Sequence, residues 1–381
     1  MAQFLSSRVL IIDTIKTMRT LTTLLCLSLT FSAHAQEIER LIEKQGRSLR
    51  KNKEFRALSI GIYKDGQTYT DHFGTLDGSS KPTNETIYEI ASVSKTFTGY
   101  LVAKAVIEGK INLEDNIDDL IDGDFSNLSF EGKPIKVKHL LAHTAGLPHF
   151  MAPGMAEAFE KPDAEVPIAF QALEQEMSKE RFLELLKAFK PQTAPGTNYK
   201  YSNAGAELLA YILTSVYDKP FDAILKDQIF SPLNMNDSGI RLTAEQKGRL
   251  AQGYWSKNKT PSPSQIIPLW GGGNGVNSTL PDLMKWVEFN LNSQEEALKE
   301  SQRIIYEKKT RWMAYLWNGW KDKNGTSYNH HGGTTGTQNW IFLFPKYNLG
   351  FSIIVNQSDE KTPRQLSSAI SKMLKEITKS R

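Results

Sequence analysis

The sequence predicts an α+β fold in which one sheet is assembled from both ends of the chain and a mainly helical unit is inserted between them. Three observations predict it. Strand-type patterning occurs at residues 57–74 and again at 339–355, and the stretch from Ser92 to about Leu291 carries mostly helical periodicity. With 381 residues, 40% hydrophobic and 23% charged, the chain has material for roughly two structural units without disulfides or structural metals.

Taken in order, Met18-Arg19 precedes an apolar run, Leu21 to Phe31, that is too short to span a bilayer and is followed by Ala33-His34-Ala35. A positive start, a Leu-rich middle and a small-x-small site read as an export signal over residues 18–35, which makes residues 1–35 the signal-peptide segment. Translation starting at Met18 fits that reading, because the first 17 residues add nothing to it. A buried helix of the mature fold is the competing reading. Glu37 to Lys51 reads as a helix. Ala57 to Tyr63 and Thr68 to Gly74 read as two strands of a hairpin turned at Lys64-Asp65-Gly66. Pro and Gly then punctuate the helical stretch at Gly146-Leu147-Pro148, Pro195-Gly196 and Gly271-Gly272-Gly273. Asn339 to Phe344 and Gly350 to Val355 read as strands around Lys346-Tyr347-Asn348, and Thr362 to Lys375 as the last helix. The expected units are therefore 36–90 with 300–381 for the sheet, and 91–299 for the helices, with Ser92 at the seam where pockets form.

Composition removes several function classes. The 46 basic and 42 acidic residues are interspersed, so no nucleic-acid partner is expected. Cys26 is the sole cysteine, which excludes disulfide frameworks, cysteine-based metal clusters and CxxC redox chemistry. Without residues 1–35 the chain carries 43 basic against 41 acidic residues and no cysteine. No later apolar run is long enough to span a membrane, and the product is expected to be periplasmic or secreted.

Three segments carry candidate chemistry. Ser92-Val93-Ser94-Lys95 opens a helix read as amphipathic from Val93, Phe97, Leu101 and Ala105. Residues three apart sit one above the other, so the Lys95 amine is expected beside the Ser92 hydroxyl. The positive end of the helix dipole and burial both disfavour a charged Lys95, and a neutral amine there deprotonates Ser92. An ordinary N-cap is the competing reading. Ser48-Leu49-Arg50-Lys51 and Ser256-Lys257-Asn258-Lys259 have the same form but lie in polar stretches. Tyr201-Ser202-Asn203 precedes the apolar helix Ala206 to Val216; it is either packing and cap, or a phenol that shuttles protons and an amide that orients Lys95 or substrate. His331-Gly332-Gly333-Thr334 is either a tight glycine turn or a place where backbone lies against a ligand. A zinc site from His139, His143, His149 and His330/His331 lacks any HExxH helix, and no glycine-rich segment ends as a phosphate loop does. No metal or cofactor is expected.

In this order the three segments resemble the active-site set of the penicillin-recognising serine hydrolases: S-x-x-K, Y-x-N, then K-T-G or H-x-G. Thr96 to Gly99, Val137 to Pro148, Ser231 to Met235 and Gly271 to Thr279 extend the similarity to the class C β-lactamase and D-alanyl-D-alanine carboxypeptidase group across nearly the whole mature chain. The resemblance implies an antiparallel sheet flanked by helices, a helical domain beside it, and an acyl-enzyme formed on Ser92. Lys95 and Tyr201 are implied as its proton-transfer partners. Asn203, His331, Gly333 and Thr334 are implied on the substrate side, with the N–H groups of Ser92 and Thr334 as oxyanion hole. Two features depart from class C β-lactamases: Lys-Thr-Gly is absent, and Tyr-Ser-Asn replaces Tyr-Ala-Asn. Phe150 also stands near where those enzymes carry a polar side chain. The expected substrate is a D-Ala-type, peptidoglycan-like peptide, with a β-lactam or ester as alternatives; a penicillin-binding module without turnover is the alternative of another class. Met151 to Met177, acidic and broken by prolines, fits a mobile cover or a surface insertion equally.

Overall fold

The structure, a computed structural model, describes residues 35–51, 55–256, 260–309 and 311–379. The predicted export signal, Cys26 and the proposed start at Met18 lie outside the described residues, Ala35 excepted.

An eight-stranded antiparallel sheet organises the fold. Strands β1 (Ala57–Lys64) and β2 (Gln67–Gly74) come from the N-terminal side. Strands β3 (Tyr306–Lys308), β4 (Arg311–Met313), β5 (Asn318–Asp322), β6 (Gly325–Gly333), β7 (Gln338–Phe344) and β8 (Leu349–Val355) come from the C-terminal side. The order is β2-β1-β8-β7-β6-β5-β4-β3, so the two ends of the chain meet where Leu58 pairs with Val355. The hairpin is predicted correctly: Asp65 and Gly66 both take positive φ, the geometry of a two-residue turn that matches the twist of its strands. Strands β3 to β6 carry no strong strand pattern and are missed in the sequence.

Helices α1 (residues 35–50) and α6 (Thr362–Lys379) cover one face. Leu366, Ile370, Met373 and Ile377 recur at helical spacing and pack with Ile38 and Ile42 on Ile60, Ile62, Phe351 and Ile353. The other face receives α5 (Leu280–Asn292), which packs on β1 and β8 although it lies inside the stretch read as a separate helical unit. β1 is consequently buried along its whole length.

Helix α2 (Ser94–Ile107) corrects an expectation. It is buried from Ser94 through Ala103, not half-buried. Phe97 packs against Phe230 and Trp286, Tyr100 against Phe289, and the loop at Tyr315 closes on Gly99. Neighbours on every side hide even Lys95, Thr96 and Thr98. Helix α3 (Val166–Gln175) lies within the segment 151–177, and helix α4 (Asn203–Tyr217) packs on α2. A short pairing of Ile87–Glu89 with Asn277–Thr279 ties the chain entering α2 to the glycine loop at 271–273. Among the described residues no helix is long and apolar enough to cross a membrane.

Candidate active site

Ser92 lies in a 3-10 turn, Ala91–Val93, immediately before α2. Ala91 takes φ 46°, a left-handed conformation that a side chain disfavours, so the turn is held by its surroundings rather than by local preference. Three bonds from outside hold it: Ile90 N–H donates to Val276 O at 3.2 Å, Val276 N–H donates to Ser94 Oγ at 2.9 Å, and Asn339 Nδ2 donates to Ile90 O at 3.0 Å.

Lys95 follows one turn later and is 0% exposed. Its Nζ lies 3.1 Å from Ser92 Oγ and 2.5 Å from Asn203 Oδ1, and it also donates to the Gly273 carbonyl. Burial pushes this amine down from 10.5 to about 7, with Glu207 pulling it partly back. Tyr201 packs its ring 5.0 Å from Lys95 Nζ and turns its phenol toward Ser92. Burial raises this phenol above its ordinary range of about 10. Ser92, Lys95, Tyr201 and Asn203 therefore converge, from segments that are far apart in the chain.

Three imidazoles surround Tyr201: the buried His143 at 4.5 Å between ring centroids, the more exposed His149 at 5.3 Å and the buried His330 at 6.5 Å. Burial and the nearby Lys95 lower all three, His149 to about 4, His330 to about 3 and His143 well below its ordinary value, so each is neutral at physiological pH. His143 accepts a bond from Ser202 N–H on Nδ1, and His330 uses Nδ1 toward the His331 carbonyl.

The third segment lies one residue out of the expected register. His331 is turned to Gln338 Oε1, 2.5 Å away, and to the Trp340 ring, whereas the preceding His330 faces Tyr201 and Lys95. Successive side chains on a strand point to opposite faces, so only one of the pair can face Tyr201. The expectation that the Thr334 N–H serves as an oxyanion donor is corrected in the same way. Its N–H donates to Thr337 O at 2.9 Å across the hairpin and is not free for an oxyanion. Alternation along an antiparallel ladder then turns the Gly333 N–H away from β7. Strand β5 ends opposite Asn329, so that side of β6 is open, and His331, Gly333 and Thr334 all line the cleft with Ser92. The Thr334 hydroxyl instead accepts from the N–H groups of Gly336 and Thr337 and donates to Glu89, which shapes the turn. Gly332 serves the backbone rather than a ligand: a Cβ there would come within 2.1 Å of Ile90 O.

The cleft encloses about 630 Å³. Phe150, Phe159, Phe170, Trp255, Trp320 and Trp340 supply aromatic walls, and among the described residues Arg311 is the single Arg or Lys that lines it. The segment 151–177 forms one side, fastened by Gln171 Nε2 to Ser264 O at 2.8 Å. Glu89 and Glu174 also line it, and burial raises both carboxyls, Glu174 to about 8. Glu207 is missed in the sequence, although a lone glutamate within the apolar run Ala204 to Leu209 is a legible signal. Its carboxylate accepts from Trp270 N–H at 3.1 Å and from Gly271 and Gly273 N–H at 2.8 Å each. The histidines considered for zinc do not gather into a ligand set: His139 caps the Val137–Leu141 helix through Lys136 N–H, and His331 faces Gln338. Among the described residues no group of three His, Cys, Asp or Glu is arranged to hold a metal.

The Beta-lactamase family model matches residues 38–370. Protein flp of Staphylococcus aureus (strain N315) is 26% identical over 342 residues, 86% of this chain, which spans 64% of that protein's length. The D-alanyl-D-alanine-carboxypeptidase/endopeptidase AmpH of Escherichia coli (strain K12) is 24% identical over 317 residues, 78% of each chain. Among solved structures, a beta-lactamase/D-alanine carboxypeptidase from Yersinia pestis complexed with citrate has a TM-score of 0.75 at 21% identity, over 90% of this chain and 99% of that one. A class C beta-lactamase has the same TM-score at 19% identity, over 90% and 98%. These structures share the fold.

Proposed function

The chain belongs to the beta-lactamase family of serine hydrolases, and on that premise we propose that it is an exported enzyme that cleaves a D-Ala-type peptide through an acyl-enzyme on Ser92. One observation carries the reading: a fully buried lysine, held near pKa 7, lies 3.1 Å from the Ser92 hydroxyl. A large fraction of Lys95 is then neutral at physiological pH, and its lone pair takes the Ser92 proton as Oγ attacks the substrate carbonyl. The oxyanion that develops is met by the N–H groups of Ser92 and Gly333. Tyr201, protonated at neutral pH, gives its proton to the departing amine and is reprotonated from Lys95. Water then attacks the ester carbonyl by the reverse relay and frees Ser92. Asn203 holds Lys95 in place and lines the cleft where the substrate amide lies. The likeness to a carboxypeptidase/endopeptidase supports a peptide substrate. Export rests on the sequence pattern of residues 18–35.

An ester is the second reading, favoured by a specific feature. The histidines of the third segment are neutral, and the cleft walls carry six Phe and Trp side chains, which suits an uncharged acyl or aryl group. The chain from residue 36 onward, offered D-Ala-D-Ala peptides, p-nitrophenyl acetate and nitrocefin, separates the readings. Peptide release supports the first, ester turnover alone replaces it with the second, and nitrocefin turnover alone makes the chain a β-lactamase. Intact mass with a fluorescent penicillin tests Ser92 itself. An adduct that forms, decays and vanishes in Ser92→Ala is expected; a wild-type chain that forms none and turns over nothing is a binding module.

A further inference from the structure

We infer that Glu207 is a positioning residue of the Ser92 centre, holding the glycine loop 271–273 so that the Gly273 carbonyl is pressed against Lys95 and Lys95 against Ser92. This rests on the proposed role of Lys95 as the base.

Glu207 stands one turn after Asn203 on α4, so both side chains leave the same face of that helix. Asn203 takes the lysine directly through Oδ1. Glu207 reaches it through the loop, with Oε2 accepting from the N–H groups of Trp270 and Gly271 and Oε1 from Gly273 N–H. Peptide N–H groups converging in this way form an anion-binding concavity, and here a side chain of the same protein occupies it. Two of the loop's three carbonyls are taken by α2: Gly273 O accepts from Lys95, and Gly272 O accepts from Thr98 Oγ1 at 2.8 Å, while Gly271 O accepts from Gly275 N–H at 2.9 Å. The loop is thus gripped through its N–H groups by α4 and through the Gly272 and Gly273 carbonyls by α2. Loss of the carboxylate releases the first grip and leaves the second to follow.

The second consequence is electrostatic. The titratable groups facing Lys95 are Tyr201 from the segment before α4, His143 and His149 from the 143–149 stretch, His330 from β6, and Glu207 from α4. Burial keeps the three imidazoles and the phenol uncharged near neutrality. Burial raises the Glu207 carboxyl, while three N–H donors and Lys95 draw it toward the ionised form. Glu207 is the facing group whose charge opposes the fall of the Lys95 pKa. Removing that charge lowers the lysine further.

The test is Glu207→Gln, with Glu207→Asp as the variant that keeps the charge, both checked for folding by circular dichroism. In the Gln variant the acid limb of kcat/KM for p-nitrophenyl acetate should move to lower pH by roughly one unit, and kcat should fall about tenfold. The Asp variant should lose kcat while keeping the wild-type acid limb. Should the Gln variant fail to fold, the Asp variant decides: reduced kcat with the limb retained supports the inference, and full wild-type kcat overturns it. A Gln profile that superimposes on the wild type also overturns it. A readout that needs no turnover comes from urea unfolding between pH 5 and pH 9, with and without Lys95→Met. The pH below which the lysine-linked stability change flattens should fall by roughly one unit in the Gln background. An unchanged flattening point sinks the inference, whereas a wild-type chain that turns over no ester and forms no Ser92 adduct sinks the proposed nucleophile instead.

Discussion

Replacing Lys95 by methionine isolates the free energy stored in the buried amine. Methionine has similar length and no charge, and position 95 is 0% exposed, so solvent screening does not dilute the effect. The lysine titrates at 10.5 in the unfolded chain and about 7 in the folded one. Between those values the unfolded state carries a proton that the folded state has shed. Stability of the wild type therefore rises with pH across that window, by about 1.4 kcal/mol per unit, and falls again as pH drops toward 7. From pH 7 to pH 9 the gain is roughly 2 kcal/mol. The variant has no such slope. It also leaves Asn203 Oδ1 and the Gly273 carbonyl without their lysine donor, at about 1–3 kcal/mol each, but that loss is the same at every pH and drops out of the difference. Urea unfolding of both proteins at pH 7, 8 and 9 measures it. Wild-type stability should gain on the variant by roughly 2 kcal/mol over the series. Parallel curves would mean that Lys95 is charged in the folded protein at pH 7, and the proposed base would be lost with it.

Three further outcomes follow from the geometry. Tyr201→Phe removes the phenol that faces Ser92 and should slow ester turnover by about 100-fold or more; near-normal kcat removes Tyr201 from the proton relay. His330→Ala should cost activity by about tenfold or more and exceed the effect of His331→Ala, because His330 faces Lys95 and Tyr201; the reverse order, read from kcat/KM, would restore the register expected from sequence. Gly332→Ala places a Cβ within 2.1 Å of Ile90 O and should lower stability by about 2 kcal/mol and slow Ser92 adduct formation, measured by thermal melting and intact mass.

The parts of the fold legible in the sequence are those whose pattern is local. The β1–β2 hairpin announces itself through Asp65-Gly66 between apolar runs, and β7 and β8 through runs that must be apolar because helices cover both faces of the sheet. Strands β3 to β5 are illegible for the complementary reason. They are three to five residues long, carry Lys308, Arg311 and Lys321 on exposed positions, and acquire strand geometry by pairing outward from β6. α2 misleads in another way: Lys95, Thr96 and Thr98 look like a polar face, yet each has a partner inside the protein, so polarity does not mean exposure there.

The site divides along the same line. Ser92 and Lys95 are three apart, and helical geometry alone brings them together; Tyr201 and Asn203 enter through the order of the motifs. The third segment fails by one residue because His330 and His331 are chemically identical and both precede glycine pairs or a single glycine that satisfy the same spacing. Only the ladder decides between them. Thr334 closes the hairpin with Thr337, which turns the Thr334 N–H inward and the Gly333 N–H outward, and the same alternation sends the His330 ring to the Tyr201 side and the His331 ring to Gln338. A register slip of one residue exchanges every side chain and every N–H between the two sides of a strand. The identity of the imidazole beside Lys95 and of the second oxyanion donor is thus a single structural fact, set by where the turn at Thr335-Gly336 falls.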